Sequence, residues 1–300
     1  MAMLRKKKLT FIIAVIMILS ACYLWVQRDF KAYCAQGAFV LEYHAIGEHP
    51  DWPADMVVPK AAFERHLQYL QEQGYAMVTV AELQDRFDRG EDVSRYIALS
   101  FVDGYVDNYE KALPLLKKYH AKATFLVINK DIGGDIYMNN AQLQQMQRDG
   151  MEIGSHTFSH NPLADIDTKY LEWELGVAKY DLERRLLPDT VVRTLAYPCG
   201  SYNEAVMAGL HKYGYRAALT GNQFLNMPEL VAQRPMELNR LIVLDNGKKP
   251  HVFAGMLRRA YWRSYLQSKG IVVPNIYDEK LRRLGKCVSI QQKSMVRKKF

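Results

Sequence analysis

Short apolar runs alternate with segments of helical periodicity along most of the chain. Apolar runs typical of buried strands occupy residues 37–43, 77–80, 96–101, 123–128, 151–153 and 216–220. Helical spacing of apolar positions occupies residues 61–73, 81–87, 107–119, 141–148, 168–186 and 204–213, with Asp107 and Asp167 as candidate N-caps. This alternation indicates an α/β fold with a parallel sheet. The pattern alone is compatible with an open doubly wound sheet and with a barrel.

The first 27 residues predict a membrane-insertion segment. Residues 9–26 carry no charge, and the basic run 5–8 before them should stay in the cytoplasm. Residues 19–22 (Leu-Ser-Ala-Cys) resemble a bacterial lipobox, which predicts cleavage before Cys22 and its lipidation. The apolar run continues to Val26, which favours an uncleaved signal anchor instead. Both alternatives place the remainder at the extracytoplasmic face of a bacterial cell membrane, anchored to membrane lipid by residues 9–26 or by lipidated Cys22.

Composition and charge restrict the function classes. The chain has 300 residues, a net charge of +8, and 49% hydrophobic and 24% charged residues, which suits one globular domain with appendages. Basic residues gather at both ends, and residues 252–266 form an apolar-basic helical pattern that could lie on a membrane face. A solvated basic tail is the alternative. The sequence lacks zinc-finger and ribonucleoprotein motifs, so we expect no nucleic-acid partner. Its four cysteines imply no disulfide framework.

Chemistry concentrates at the ends of two predicted strands. The run 96–101 leads into Asp103 and Gly104, and residues 151–153 lead into a loop that carries His156 and His160. One carboxylate and two imidazoles with an open fourth position make a catalytic zinc site. We therefore predict a divalent-metal site, with Zn²⁺ foremost, at Asp103, His156 and His160.

These residues resemble the motifs of the polysaccharide deacetylase family (the NodB-homology domain, carbohydrate esterase family four). His-Thr-Phe-Ser-His at 156–160 matches its second motif. The first motif, usually Phe-Asp-Asp-Gly, differs, because Val102 stands where the family carries its catalytic base. The resemblance spans about residues 38–245 and implies a distorted barrel of about seven strands with the site at their carboxyl ends. It divides the chain into an anchor or signal segment (1–27), a deacetylase domain (38–250) and a basic tail (251–300).

The third motif of the family corresponds to residues 194–200. Ala196 stands where well-known members carry an arginine. The alanine resembles the branch that deacetylates poly-N-acetylglucosamine. By this resemblance, Tyr197, Pro198, Cys199 and Gly200 are expected to bind substrate, and Tyr197 with nearby backbone N–H groups to hold an oxyanion. Cys199 replaces an aromatic residue, and its alternative role is that of a small buried hydrophobe.

Two further residues are catalytic candidates by resemblance. Leu-Glu-Tyr-His at 41–44 fits a first-strand motif that ends at His44, although a loop-capping histidine is an equal alternative. Arg240 could supply the charge missing at Ala196, or could form a surface salt bridge. The late histidine motif of the family is not visible, and His251 is a weak substitute.

The resemblance implies metal-dependent N-deacetylation of a cell-surface N-acetylglucosamine polysaccharide. Valine at 102 cannot take a proton from water, and general acid–base assistance is typically worth about 10²–10⁴-fold. Glu42 or His44 could substitute if either reaches the site. The alternatives are a catalytically impaired, metal-holding polysaccharide-binding module and an unrelated α/β metallohydrolase.

Overall fold

The computed structural model describes residues 2–48 and 56–273, with side chains from residue 10 onward. Its strands are β1 (Val40–Tyr43), β2 (Ala45–Ile46), β3 (Val57–Val58), β4 (Ala76–Val78), β5 (Tyr96–Phe101), β6 (Thr124–Val127), β7 (Glu152–Ser155), β8 (Thr194–Ala196), β9 (Ala217–Leu219) and β10 (Leu241–Ile242). Its α-helices are α1 (Ala2–Cys34), α2 (Lys60–Glu72), α3 (Val80–Asp88), α4 (Leu113–Lys118), α5 (Asn140–Arg148), α6 (Ala178–Arg185), α7 (Glu204–Lys212), α8 (Pro228–Gln233) and α9 (Val252–Ser268). From β4 to β9 strands and helices alternate, as the apolar pattern predicts.

The main sheet is parallel and curls into a distorted barrel. Its strand order is β10-β1-β5-β6-β7-β8-β9, and β4 pairs with the start of β5. Residues 238–242 bring the two edges together. Leu238 N–H donates to Ala218 O at 2.9 Å beside β9, and Leu241 pairs with Leu41 of β1. The predicted distorted barrel is confirmed, and this closing segment also carries Arg240.

Alternate strand residues face two apolar layers, as the period of two in a β-strand requires. On β1, Leu41 and Tyr43 belong to the large cluster that also includes core residues of the surrounding helices. Val40 belongs to a smaller cluster, with Ala98, Val102, Leu126, Ala196 and Leu219 from neighbouring strands. The smaller cluster therefore fills the inside of the curl. Glu42 has the parity of Val40, which makes it a charged exception on that inner face.

Two predicted helices are less regular than their periodicity suggests. Residues 108–112 form a π-helical turn before α4, and Asp107 makes no capping hydrogen bond with its side chain. The prediction of an N-cap at Asp107 is wrong, because its carboxylate accepts from Asn108 Nδ2 at 2.7 Å instead. The second helix comprises a 3-10 turn (Thr168–Tyr170), a π-helix (Glu172–Val177) and α6. Asp167 does cap it, since its side chain accepts from Lys169 N–H at 3.1 Å.

The N-terminal apolar segment forms α1, and Thr10–Cys34 is long and apolar enough to cross a membrane by length and composition. The end of α1 packs on α9. Phe30 stacks on Trp262 with ring centroids 3.9 Å apart, and the Tyr265 hydroxyl donates to Asp29 at 2.7 Å. These contacts lie beyond Cys22, so cleavage before Cys22 would keep them. The helix could be a signal or an anchor.

Helix α9 is packed against the domain. It buries Phe253, Met256 and Leu257, and Phe253 stacks on His66 of α2 at 4.1 Å. The expectation that this segment lies on a membrane face as part of a separate tail is corrected accordingly, because protein covers its apolar side. Residues 274–300, the rest of the predicted basic tail, lie outside the described residues.

Candidate metal centre

Strand β5 brings Asp103 to the carboxyl edge of the sheet. Asp103 and Gly104 both have left-handed backbone conformations, with φ of 73° and 84°. Among residues with a side chain, Asp and Asn are the most frequent there. A Cβ at Gly104 would lie 3.0 Å from Val127 Cγ1, so glycine is also required for space. The tight turn breaks the strand alternation and leaves the Asp103 carboxylate at the edge of the barrel.

The loop after β7 supplies two histidines. The N–H of His156 donates to Val127 O at 2.8 Å, which continues the sheet pairing to this residue. Thr157 and His160 have φ of 67° and 63°, so the loop turns sharply and returns the His160 ring to within 4.7 Å of the His156 ring, centroid to centroid. Each Nε2 lies 3.5 Å from Asp103 Oδ1. The ligand atoms of the three residues all lie within 4.8 Å of one another.

The third strand in this region orients His156. The Nδ1–H of His156 donates to the backbone carbonyl of Ala196, at the end of β8, at 2.8 Å. That hydrogen bond fixes the tautomer, so Nε2 carries the lone pair on the side of Asp103 and His160. Metal-ligating histidines typically use such a partner for their other ring nitrogen. The carbonyl of Ala196 is thus a positioning group for the centre.

The protonation states suit a divalent metal ion. Burial would raise the pKa of Asp103, but the charges of His160, His156 and His44 outweigh it and lower the pKa. Burial, reinforced by His160, lowers the pKa of His156 to about 3. Near neutral pH the carboxylate is therefore ionised and His156 is neutral, as metal binding requires. The predicted set of Asp103, His156 and His160 is brought together, and its donor set fits the ion.

Glu174 supports the loop that carries His160. Its carboxylate accepts hydrogen bonds from Phe158 N–H at 3.1 Å, from Ser159 N–H at 2.9 Å and from the Ser159 hydroxyl. Glu174 is buried within the π-helix. Sequence reasoning missed this residue. The available signal was an acidic residue on the apolar face formed by Leu171, Leu175 and Ala178.

Val102 and Ala196 form an apolar wall on the inner face of the barrel. Both side chains are buried in the smaller cluster. The family motifs place a carboxylate at the position of Val102 and, in many members, a guanidinium at the position of Ala196. Here both are aliphatic, so the wall excludes water and holds no proton.

A row of ionisable side chains, called here the charge chain, joins β1 to the segment before β10. His44 Nε2 lies 3.5 Å from Glu42 Oε1, and Glu42 Oε2 lies 3.2 Å from Arg240 Nε. Arg240 also donates from Nε to Thr220 O at 2.8 Å. Glu42 and Arg240 are only 5% and 3% exposed, so the alternative of a surface salt bridge for Arg240 is wrong.

The third motif is built differently from its prediction. Tyr197 is fully buried, and its hydroxyl donates to Met236 O at 2.9 Å while its N–H donates to Leu219 O. Neither group of Tyr197 lines a groove or serves an oxyanion. Pro198 is buried, and Gly200, half-buried at a φ of 65°, would place a Cβ 3.2 Å from Gly221 N. The turn therefore packs tightly against the following strand end.

Cys199 contradicts two expectations. It is exposed with a φ of 57°, so it is not a small buried hydrophobe. It is also disulfide-bonded, whereas the sequence implied no disulfide. Cys22 and Cys34 are free thiols. The remaining late candidate, His251, is exposed at the start of α9.

Comparisons with known proteins agree with this architecture. The family profile described as polysaccharide deacetylase matches residues 89–218. The Bacillus subtilis (strain 168) protein YxkH, whose name places it among the polysaccharide deacetylases, is 32% identical over 182 residues, covering 60% of this chain and 63% of that protein. The poly-beta-1,6-N-acetyl-D-glucosamine N-deacetylase of Staphylococcus epidermidis is 28% identical over 171 residues, covering 53% of this chain and 59% of that protein. The chain thus spans about three fifths of these curated relatives.

A solved structure extends the likeness to three dimensions. The Streptococcus pyogenes deacetylase PplD, solved in complex with acetate, superposes with a TM-score of 0.67 at 26% identity, covering 75% of this chain and 98% of that one. The curled sheet, the histidine loop after β7 and these matches agree with one another. Over residues 89–218 the chain is similar to the polysaccharide deacetylase family, and its fold is similar to that of the solved deacetylase.

Proposed function

We propose that this chain is a divalent-metal-dependent N-deacetylase that removes acetyl groups from an N-acetylglucosamine polysaccharide. The observation that carries the proposal is the cluster of Asp103, His156 and His160, whose ligand atoms converge within 4.8 Å at the carboxyl edge of the sheet. Amide hydrolysis needs an activated water, a polarised carbonyl and a proton for the leaving amine. A bound ion supplies the first two by lowering the pKa of water from about 16 toward about 7 and by acting as a Lewis acid.

The side chains divide the remaining tasks. Asp103, His156 and His160 would hold the ion, with Zn²⁺ as the first candidate and other imidazole-binding metals as alternatives. Ala196 O keeps His156 in the ligating tautomer, and Glu174 keeps the His160 loop folded. Arg240 brings positive charge to the inner face of the barrel, and His44 offers an imidazole just after the end of β1. Pro198, Cys199 and Gly200 form a turn beside the centre that we propose as a wall of the substrate groove.

The substrate class follows from likeness to the staphylococcal relative, which is named for poly-beta-1,6-N-acetyl-D-glucosamine. Ala196 in the third motif supports the same branch. We therefore propose an exopolysaccharide of this type ahead of peptidoglycan or chitin-like glycans. The apolar helix α1 supports a location at the extracytoplasmic face of the membrane, through residues 9–26 or through lipidated Cys22.

A second candidate function is a metal-holding polysaccharide-binding module without turnover. The specific observation in its favour is Val102, since the family base is absent and its position is buried among aliphatic side chains. The charge chain of His44, Glu42 and Arg240 favours the enzyme, because a binding module has no need of a proton acceptor there.

Acetate release distinguishes the two functions. The full chain in detergent, loaded with zinc, is incubated with poly-β-1,6-N-acetylglucosamine, peptidoglycan glycan strands and chitin oligomers. The enzyme proposal expects acetate from at least one glycan, loss of release on chelation, and loss in His156→Ala. Glycan binding without acetate from any substrate would support the binding module instead.

A further inference from the structure

The register of β1 and β5 places His44 beside Val102. Glu42 pairs with Ser100 and Tyr43 pairs with Phe101, and Val102 N–H donates to Tyr43 O at 3.0 Å. One further step along both chains sets His44 opposite Val102. Residues at the same position on adjacent parallel strands project to the same face. Val102, which cannot accept a proton, therefore lies next to the imidazole of His44.

The charge chain behind His44 is buried and incompletely satisfied. Glu42 Oε2 and Arg240 Nη1 make no hydrogen bond within residues 10–48 and 56–273. Burial of an ion pair rarely gains stability over well-packed apolar residues, and unsatisfied buried polar atoms need a specific reason. Apart from Ser100, which pairs with Glu42, the inner face around this pair is mostly aliphatic. A functional role for the pair accounts for its retention on that face.

His44 has the most exposed side chain of the three residues in this chain. Its side chain is 13% exposed, whereas that of Glu42 is 6% exposed and lies two residues deeper on the same strand. The charge of His44 also acts on Asp103. The Glu42 carboxylate, 3.5 Å from His44 Nε2, favours the tautomer with the proton on Nε2, which leaves the lone pair on Nδ1. A nucleophile-activating base that is itself oriented by a third group is the usual arrangement for such catalysis.

We propose that His44 is the general base of the reaction and that Glu42, held by Arg240, positions it, so that β1 supplies the function that Val102 has removed from β5. This inference rests on the proposed deacetylase function. The water O–H bond breaks, its proton passes to His44 Nδ1, and its oxygen forms a bond to the acetyl carbon. When the C–N bond breaks, His44 returns that proton to the amine nitrogen. The products are acetate and a free amino sugar, and the enzyme is regenerated.

The experiment is a rescue series on the full chain in detergent, loaded with zinc. The variants are His44→Ala and Glu42→Gln, each made with and without Val102→Asp. The readouts are kcat and KM for acetate release from poly-β-1,6-N-acetylglucosamine oligomers, bound zinc per chain, and the thermal midpoint. His211→Ala, which alters an exposed histidine on α7, is the matched control.

The proposal expects a specific pattern. His44→Ala should lower kcat by about 10²–10⁴-fold, the usual worth of a positioned base. Glu42→Gln should lower kcat by about tenfold or more, because positioning partners contribute on that scale. In both variants KM and zinc content stay at the wild-type values. Adding Val102→Asp to His44→Ala should raise its kcat at least tenfold, since the second change returns a carboxylate to the adjacent position.

Contrary outcomes are separable. An active wild type in which His44→Ala keeps its kcat overturns this inference and leaves the deacetylase function standing. The inference is also overturned if His44→Ala is folded and binds zinc but its activity is not raised by Val102→Asp, because loss of a purely structural histidine would give that result. A wild type that releases no acetate while Val102→Asp does so overturns the enzyme proposal itself, and the role of His44 with it.

Discussion

The loop that carries His160 depends on one buried carboxylate, and its removal should weaken metal binding. Glu174 accepts two backbone N–H groups and one hydroxyl from Phe158 and Ser159. Two residues of the same loop, Thr157 and His160, hold left-handed conformations that cost energy without such support. These hydrogen bonds go to the residues between the two histidines, so the effect of Glu174 on the ion would act through the loop.

The magnitude follows from the hydrogen bonds. A hydrogen bond to a charged group contributes about 1.5–3 kcal/mol and one to a neutral group about 0.5–1.5 kcal/mol. In Glu174→Gln an amide oxygen can still accept from the two N–H groups, so the loss is about 2 kcal/mol. If loop order and binding are fully linked, that loss weakens zinc affinity by roughly 30-fold, since 1.4 kcal/mol corresponds to tenfold. The value lies within the 10–100-fold range typical of outer positioning partners.

Zinc affinity is measured by competition with a chromophoric chelator at pH 7.5. Glu172→Gln is the matched control, because it removes a charge from an exposed position of the same π-helix. We expect about 30-fold weaker binding in Glu174→Gln and wild-type binding in the control. Equal affinities in Glu174→Gln and wild type would refute the argument that this carboxylate organises the ligand loop.

Two stability predictions concern groups away from the centre. Burial lowers the pKa of His66, against the opposing effect of Asp245. The contribution of neutral His66 to the unfolding free energy is therefore fully present above about pH 6.5. It is lost as the pH falls toward the lowered pKa of His66 in the folded protein. His66→Gln should flatten the pH dependence of the unfolding free energy by up to about 1.4 kcal/mol per pH unit, and equal slopes in urea titrations between pH 7.5 and 5.5 would contradict this. Glu152 accepts from Thr124 Oγ1, Thr194 Oγ1 and Ala81 N–H. Glu152→Gln should lower the unfolding free energy by about 2–4 kcal/mol without changing zinc affinity, and a change in affinity alone would place Glu152 in the site instead.

The order of elements and the convergence of Asp103, His156 and His160 could be predicted because each depends on patterns that are local in sequence. Periodicity marks each strand and helix, and parallel strands bring Asp103 and His156 to the same edge. Closure of the barrel was not predictable from periodicity, since it depends on residues 238–242 contacting β9 and β1 at once. The irregular start of the helix after Asp107 likewise depends on tertiary contacts.

The polar groups around Asp103, His156 and His160 were harder to predict than the convergence of these three residues. Motif position assigned Tyr197 to the groove, but burial of its ring and the hydrogen bond to Met236 decide its role. The pairing of Glu42 with Arg240 joins residues about two hundred positions apart, and no local pattern encodes it. Such long-range pairs are visible only once the sheet order and register are known.

The measurement that tests the central claim most directly is acetate release by the zinc-loaded wild-type chain, in detergent, beside Val102→Asp and His156→Ala. The account predicts that the wild type releases acetate from poly-β-1,6-N-acetylglucosamine oligomers, that Val102→Asp is at least as active, and that His156→Ala releases none. Release by Val102→Asp alone would contradict it, because the metal centre and the barrel would then be sound while the natural chain binds glycan without cleaving it.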